Sequence, residues 1–174
     1  MIRNEGGPMS EGCLSFKKDS PEAHELLNWW RALDEDRGER AVLRRSHNLV
    51  EVAFSPAFHR LRNALGHFGV VDDDKLALIV GLAARVKSED DGGSIAEQMA
   101  TGKPGGSARV SGLRFRRLLK VKENEDLFTA MTRIIALLGG SANIQSLAQG
   151  VYSWNDITRK QWAFDYYSKA PNEP

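Results

Sequence analysis

Between Lys103 and Lys122 the chain carries seven cations and no carboxylate: Lys103, Arg109, Arg114, Arg116, Arg117, Lys120 and Lys122. At about 100° per residue, Phe115, Leu118 and Leu119 fall on one arc of a helix, while Arg114, Arg116, Arg117 and Lys120 fall on the opposite half. Opposite charges four residues apart stabilise a helix by ~0.2–0.5 kcal/mol, and like charges destabilise it by similar amounts. A helix that accepts such repulsion needs either an anionic partner or acidic neighbours in its own fold, for which Glu123, Glu125 and Asp126 are the nearest candidates. Arg40, Arg44 and Arg45 form a second cluster, and Arg159 and Lys160 a third. Arginine dominates these clusters, and its planar fork can meet two phosphate oxygens at once. Three separated clusters read as a track for an extended polyanion rather than a seat for one small anion. No element carries Asn, Gln and Arg at the spacing of a groove-reading helix, so binding independent of base sequence is expected.

Catalytic constellations are weaker. The four histidines, His24, His47, His59 and His67, never occur as H-x-x-x-H or H-E-x-x-H, the spacings of a zinc hydrolase. Asp72 to Asp74 and Glu89 to Asp91 could ligate Mg²⁺ as nuclease carboxylates do. Helix capping and a solvated loop account for them more simply. Gly102 to Ser107 does not fit G-x-x-x-x-G-K-[ST], and Cys13 is the sole cysteine. Trp29, Trp30, Trp154 and Trp162 could stack on bases, but Trp30 and Trp162 fall on apolar helix faces and read as core. The expectation is a protein without catalytic residues, cofactor, metal or small-molecule substrate.

The elements that must position these residues are helices. Ser20-Pro21 and Ser55-Pro56 each place a capping serine before a proline at the first helical position. Apolar spacing predicts helices near 21–35, 37–46, 56–65, 72–87, 94–100, 111–121, 124–138, 143–150 and 155–168. The resulting fold class is all-α, with two small helical subdomains packed together. Residues 1–19 read as a mobile tail, 20–88 as the first subdomain, 89–110 as a flexible connection and 111–170 as the second subdomain. Of 174 residues, 24 are basic and 23 acidic, a net charge of +1, so only the distribution of charge argues for a polyanion. The start lacks the apolar core of a signal peptide, and the run Leu76 to Ala84 is far shorter than the ~20 residues of a membrane span. A cytoplasmic location, away from membranes, is expected.

Three stretches resemble a known family. They are Trp30-Arg31-Ala32-Leu33 followed by Arg40 to Arg45 and Pro56 to Leu61; Arg114 to Lys120 with Arg133 on the next helix; and Trp162 to Tyr167. In order and spacing they are similar to the CasB family, the small subunit of the type I-E CRISPR surveillance complex Cascade. The resemblance spans about residues 22–168. It implies an all-α protein of two helical subdomains, with two copies arranged head to tail in the complex. The implied partners are the other Cascade subunits, a second copy of the chain, crRNA and target DNA. The implied task is to support the crRNA–target assembly and hold the displaced strand through basic residues. Residue by residue, the resemblance points to Arg44, Arg45, Arg114, Arg117, Lys120 and Arg133, with Arg159 and Lys160 as further positions. Arg116 joins them from the charge pattern. The alternative is a helical adaptor whose basic face binds an acidic protein.

Overall fold

The computed structural model describes residues 12–102 and 106–174. Among them the chain forms α1 (Pro21–Ala32), α2 (Arg37–Arg44), α3 (Leu49–Ala53), α4 (Pro56–Leu65), α5 (Asp73–Ala83), β1 (Ser88–Glu89), α6 (Ile95–Ala100), α7 (Gly112–Leu119), α8 (Asn124–Leu137), β2 (Ser141–Ala142), α9 (Ile144–Tyr152) and α10 (Asp156–Lys169). The all-α expectation holds. The two strands form one short parallel pair of two residues each, Ser88 opposite Ser141 and Glu89 opposite Ala142.

Local chemistry sets the helix starts. The Ser20 and Ser55 hydroxyls accept from the backbone N–H groups of Ala23 and Ala57, each with proline just inside the helix. Asp72, Asn143 and Asn155 cap α5, α9 and α10 in the same way. Ser94 and Glu97 form a reciprocal capping box at α6.

Packing is organised by α5, eight of whose eleven residues are buried. A helix that is apolar all round must be surrounded. It is: α3 and α4 from the first half and α8 and α9 from the second pack on it. Gly81 lets the Phe128 ring approach so closely that a Cβ there would lie 2.6 Å from it. The buried side chains of 20–88 and 111–170 therefore belong to one contiguous core. Trp29, Trp30 and Trp162 are part of it. The Trp29 indole donates to the Ala57 carbonyl at 2.8 Å and that of Trp30 to Ala83 at 3.0 Å.

Two expectations need correction. Residues 12–19, assigned to a mobile tail, are docked. Leu14 and Phe16 are buried, the Phe16 N–H donates to Gln149 Oε1 at 2.7 Å, Gln145 Nε2 donates to the Phe16 carbonyl, and the ring meets Tyr152 edge-on. The apolar alternation Leu14-x-Phe16 is too short to register as a period. The remainder of that tail, 1–11, lies outside the described residues. The described parts of the segment 89–110, expected as a flexible exposed connection around a short helix, are anchored instead, with 103–105 outside the described residues. Ile95, Ala96, Met99 and Val110 are buried, α6 packs along α10, and the Val110 N–H donates to the Met99 carbonyl at 3.0 Å. The segment's composition is rich in glycine, while five buried side chains, these four and Ala100, determine the structure of its described parts. Among the described residues no helix is long and apolar enough to cross a membrane.

At Gly150 a Cβ would sit 2.3 Å from the Trp162 ring. Gly150→Ala should therefore destabilise the protein by about 1–3 kcal/mol through forced displacement of that ring. Urea unfolding followed by tryptophan fluorescence measures it; an unchanged midpoint would contradict the close α9–α10 packing.

Candidate nucleic-acid interface

Helix α7 is held by the C-terminal part of the chain. The Phe115 ring stacks on Tyr166 with centroids 4.0 Å apart and planes 7° from parallel, while Tyr167 meets it edge-on. The Tyr166 hydroxyl donates to the Val110 carbonyl at 2.6 Å. Burial, reinforced by the Glu173 carboxylate, pushes its pKa up to about 12. Glu173 accepts from the N–H groups of Ala108 and Gly112, each at 3.2 Å, and so places negative charge at the positive end of α7. At the other end Arg159 donates to the Leu119 carbonyl at 3.1 Å and the Trp154 indole to that of Val121 at 2.8 Å. The α7–α8 turn is thus fixed from both sides.

With Phe115 and Leu118 buried, the arginines of α7 must project outward. Arg114 and Arg117 join Arg133 of α8 around a cavity of about 470 Å³. Its floor is aliphatic, formed by Leu118, Ile134 and Leu137 among others. The acidic neighbours considered from the sequence do not neutralise this face. Among the described residues, Arg114, Arg116, Arg117, Lys120, Lys122 and Arg133 make no ion pair. Glu125 instead accepts from the Leu49 N–H at 3.0 Å.

A second depression of about 330 Å³ adjoins the first at Ala136 and is lined by Arg44, Arg85, Lys87 and Gly140. Gly140, in the left-handed region at φ +78°, lets the Lys87 stem lie against the backbone; a Cβ there would be 3.0 Å from it. A third, of about 320 Å³, adjoins the second at Arg44 and adds Arg37 and Arg40 together with the carboxylate of Asp34. The three depressions form a chain from α7 to α2 in which all the lining cations are arginine or lysine from separate parts of the sequence.

These cations are not equivalent. Arg40 is 8% exposed; it donates to the Val86 carbonyl, pairs with Asp34 and lies 5.6 Å from the Trp30 ring centroid. Arg85 donates to Gly81, Ser46 and Leu43 carbonyls at 2.6, 2.8 and 3.3 Å and covers the Phe128 ring at 4.8 Å. Both satisfy carbonyls at or near the C-terminal end of α5, where cations are favoured. Arg44 is exposed, with Nε on the Ala84 carbonyl at 2.9 Å. Burial first, and Arg40 second, lower its pKa; burial and then Arg44 lower that of Arg85. The close packing of like charges is a feature of this end of the belt.

The other sequence-derived positions lie elsewhere. Arg116 points along α7 towards Pro174, where its Nη1 would be 3.3 Å from a Cβ at Gly112. Arg45 and Lys120 are the exposed C-caps of α2 and α7 and line none of the three depressions. Arg159 is engaged by Asp156 and the Leu119 carbonyl. Lys160 lies 5.9 Å from the exposed Phe164 ring, in a separate depression on α10. Lys103 lies outside the described residues. Lys87 and Arg37 were not singled out by the sequence because neither lies in a basic run. Three of the carboxylates of the nuclease alternative are engaged singly: Asp72 caps α5, Asp73 pairs with Arg62 at 2.6 Å, and Asp90 accepts from the Gly92 N–H at 2.9 Å.

This arrangement of helices has solved counterparts. CasB from Thermus thermophilus superposes with a TM-score of 0.65 at 21% identity, covering 86% of this chain and 99% of that one. A chain in the crystal structure of E. coli Cascade bound to a PAM-containing dsDNA target gives a TM-score of 0.63 at 18% identity, covering 85% and 95%. The fold is therefore that of the helical CasB proteins. The sequence itself matches the CRISPR-associated protein Cse2 over residues 39–167. The chain belongs to that family, the one to which its CasB resemblance pointed. A search of curated protein sequences gives no match.

Two outcomes follow from these contacts. Arg40→Ala should cost about 2–4 kcal/mol, because it strips a buried donor from the end of α5, whereas Arg117→Ala should stay within about 0.5 kcal/mol. Chemical denaturation of the two variants checks this, and equal losses would refute the division into structural and free arginines. Secondly, the raised pKa of Tyr166 means that the folded state binds its phenolic proton more tightly than the unfolded state. That contribution is complete below about pH 10 and is lost as pH rises through about 12. Stability measured across this window should fall less steeply in Tyr166→Phe than in the parent chain.

Proposed function

We propose that this chain is a non-catalytic subunit of a type I-E CRISPR Cascade complex that holds nucleic-acid backbone without reading its sequence. One observation carries the reading: Arg114, Arg117 and Arg133, from two helices, surround one cavity with no acidic partner among the described residues. Family membership supplies the context, and the similar E. coli chain belongs to a Cascade bound to a dsDNA target.

The physical logic supports such a division of labour. In an RNA-guided effector, base pairing reads the sequence and the protein recognises backbone and shape. A strand displaced from its duplex needs a positive groove to lie in. The proposed contacts are Arg114, Arg117 and Arg133 at the first depression and Arg44 with Lys87 at the second. Arg45, Arg116, Lys120 and Lys160 are exposed reserves beyond the belt. The crRNA–target assembly and the displaced strand are the ligands, the other Cascade subunits and a second copy of this chain are the partners, and the cytoplasm is the place of action.

The test is the Arg114→Ala/Arg117→Ala/Arg133→Ala chain assembled with the remaining subunits and crRNA. Its R-loop should dissociate faster, and the slope of log K against log salt should shrink by about 2, as expected for three lost contacts to a single strand. Circular dichroism should be unchanged. An R-loop lifetime and salt slope equal to the parent's would remove these residues from the interface.

A further inference from the structure

The first depression is shaped for more than charge. Leu118 and Ile134 are 2% and 4% exposed, while Leu137 stands 40% exposed at the edge. Val121 and Ala130 complete an aliphatic floor, and Arg114, Arg117 and Arg133 are its polar groups. Phosphates alone would not need this floor. A phosphate is strongly hydrated and is held equally well by arginines on a flat surface, whereas apolar surface held open beneath a cationic rim gains free energy only when an apolar face covers it. The volume, about 470 Å³, lies within the ~300–1,000 Å³ of small-molecule pockets.

We propose that this cavity takes an unpaired nucleobase, with the phosphates on either side of it held by the rim arginines. The inference rests on the nucleic-acid reading above and adds the base to it. A base offers two π-faces, one for the aliphatic floor and one for an arginine plane, since guanidinium groups stack on bases as well as pairing with phosphate. The side chains lining the cavity offer donors and no acceptor, which suits a ligand rich in phosphate oxygens. An acidic peptide suits it less, because its own backbone N–H groups would find no side-chain acceptor there. The aliphatic floor makes no hydrogen bond to a base edge, so any base is accommodated and the larger purines gain most from burial. Continuity with the second depression at Ala136 lets the strand run on towards Lys87 and Arg44.

The experiment uses the full chain at low salt and two single-stranded oligonucleotides of equal length, one of natural purines and one abasic throughout. Both carry the same phosphates. Base stacking is worth about 1–3 kcal/mol per base, so the natural strand should bind roughly 5- to 150-fold more tightly. Leu137→Glu, at an exposed helix position outside the core, should abolish that preference while circular dichroism stays the same. Leu137→Phe should keep it. Equal affinity for the two strands, with a steep salt slope, would overturn the base site and leave the backbone-binding reading standing. Salt-dependent binding of neither strand would overturn both. Tight binding of a leucine-containing polyglutamate peptide, with no preference for the natural strand, would assign the cavity to a protein instead.

Discussion

The enclosure of α5 is the constraint on which the rest depends. Its apolar surface has no solvent face beyond the first turn, so helices from both halves of the chain must close around it. That closure brings α8 against α5 through Phe128 and Gly81 and carries the C-terminal end of α5 to the C-terminal end of α8. Arg44, Arg85 and Lys87 thereby come to share a depression with Ala136 and Gly140, more than forty residues away in sequence. The basic belt is a by-product of burying one helix.

The same enclosure creates the demand that divides the arginines. The carbonyls at the end of α5 and just beyond it have no helical partners and lie in the interior. Arg40 and Arg85 supply donors for them, and Trp30 shares the work through its indole. A guanidinium buried in this way is held at the helix terminus and is poorly placed to follow a mobile ligand, whereas Arg44 gives only its Nε to the Ala84 carbonyl and is otherwise exposed. The cations left for an external anion are those whose helices are already capped by other means. At the C-terminal end of α7 the Leu119 and Val121 carbonyls accept from Arg159 and from the Trp154 indole, so Arg114 and Arg117 are not called upon.

This distinction explains what could and could not be read from the sequence. Helix starts at Ser20-Pro21 and Ser55-Pro56 were legible because capping is decided within four residues. The outward face of α7 was legible because Phe115 and Leu118 fix it by spacing alone. Arg40 and Arg44 were indistinguishable, since both sit four apart on the same short helix; only the position of α5 buries one and exposes the other. Arg114 and Arg116 differ by the tertiary course of α8 and the C-terminal residues, which no local period encodes. The docking of residues 12–19, of 95–100 and of Val110 was hidden for a related reason: a few buried side chains among glycines and serines leave little periodic signal, yet each removes apolar surface from water.

A net charge of +1 now takes on a physical meaning. The acid-free stretch 103–122 alone contributes seven positive charges, which leaves the remainder of the chain six units negative. A uniformly basic protein would adhere to any nucleic acid through its long-range field. Gathering cations from separate segments along one chain of depressions, on a chain whose total charge is only +1, confines attraction to ligands that reach the belt closely, within about a Debye length of ~8 Å. In the proposed assembly the neighbouring subunits and crRNA bring the strand to that distance, and the high effective concentration they create allows each contact to be weak. A belt tuned in this way favours a strand already delivered to it over free nucleic acid, which is the selectivity that a holding subunit without sequence recognition requires.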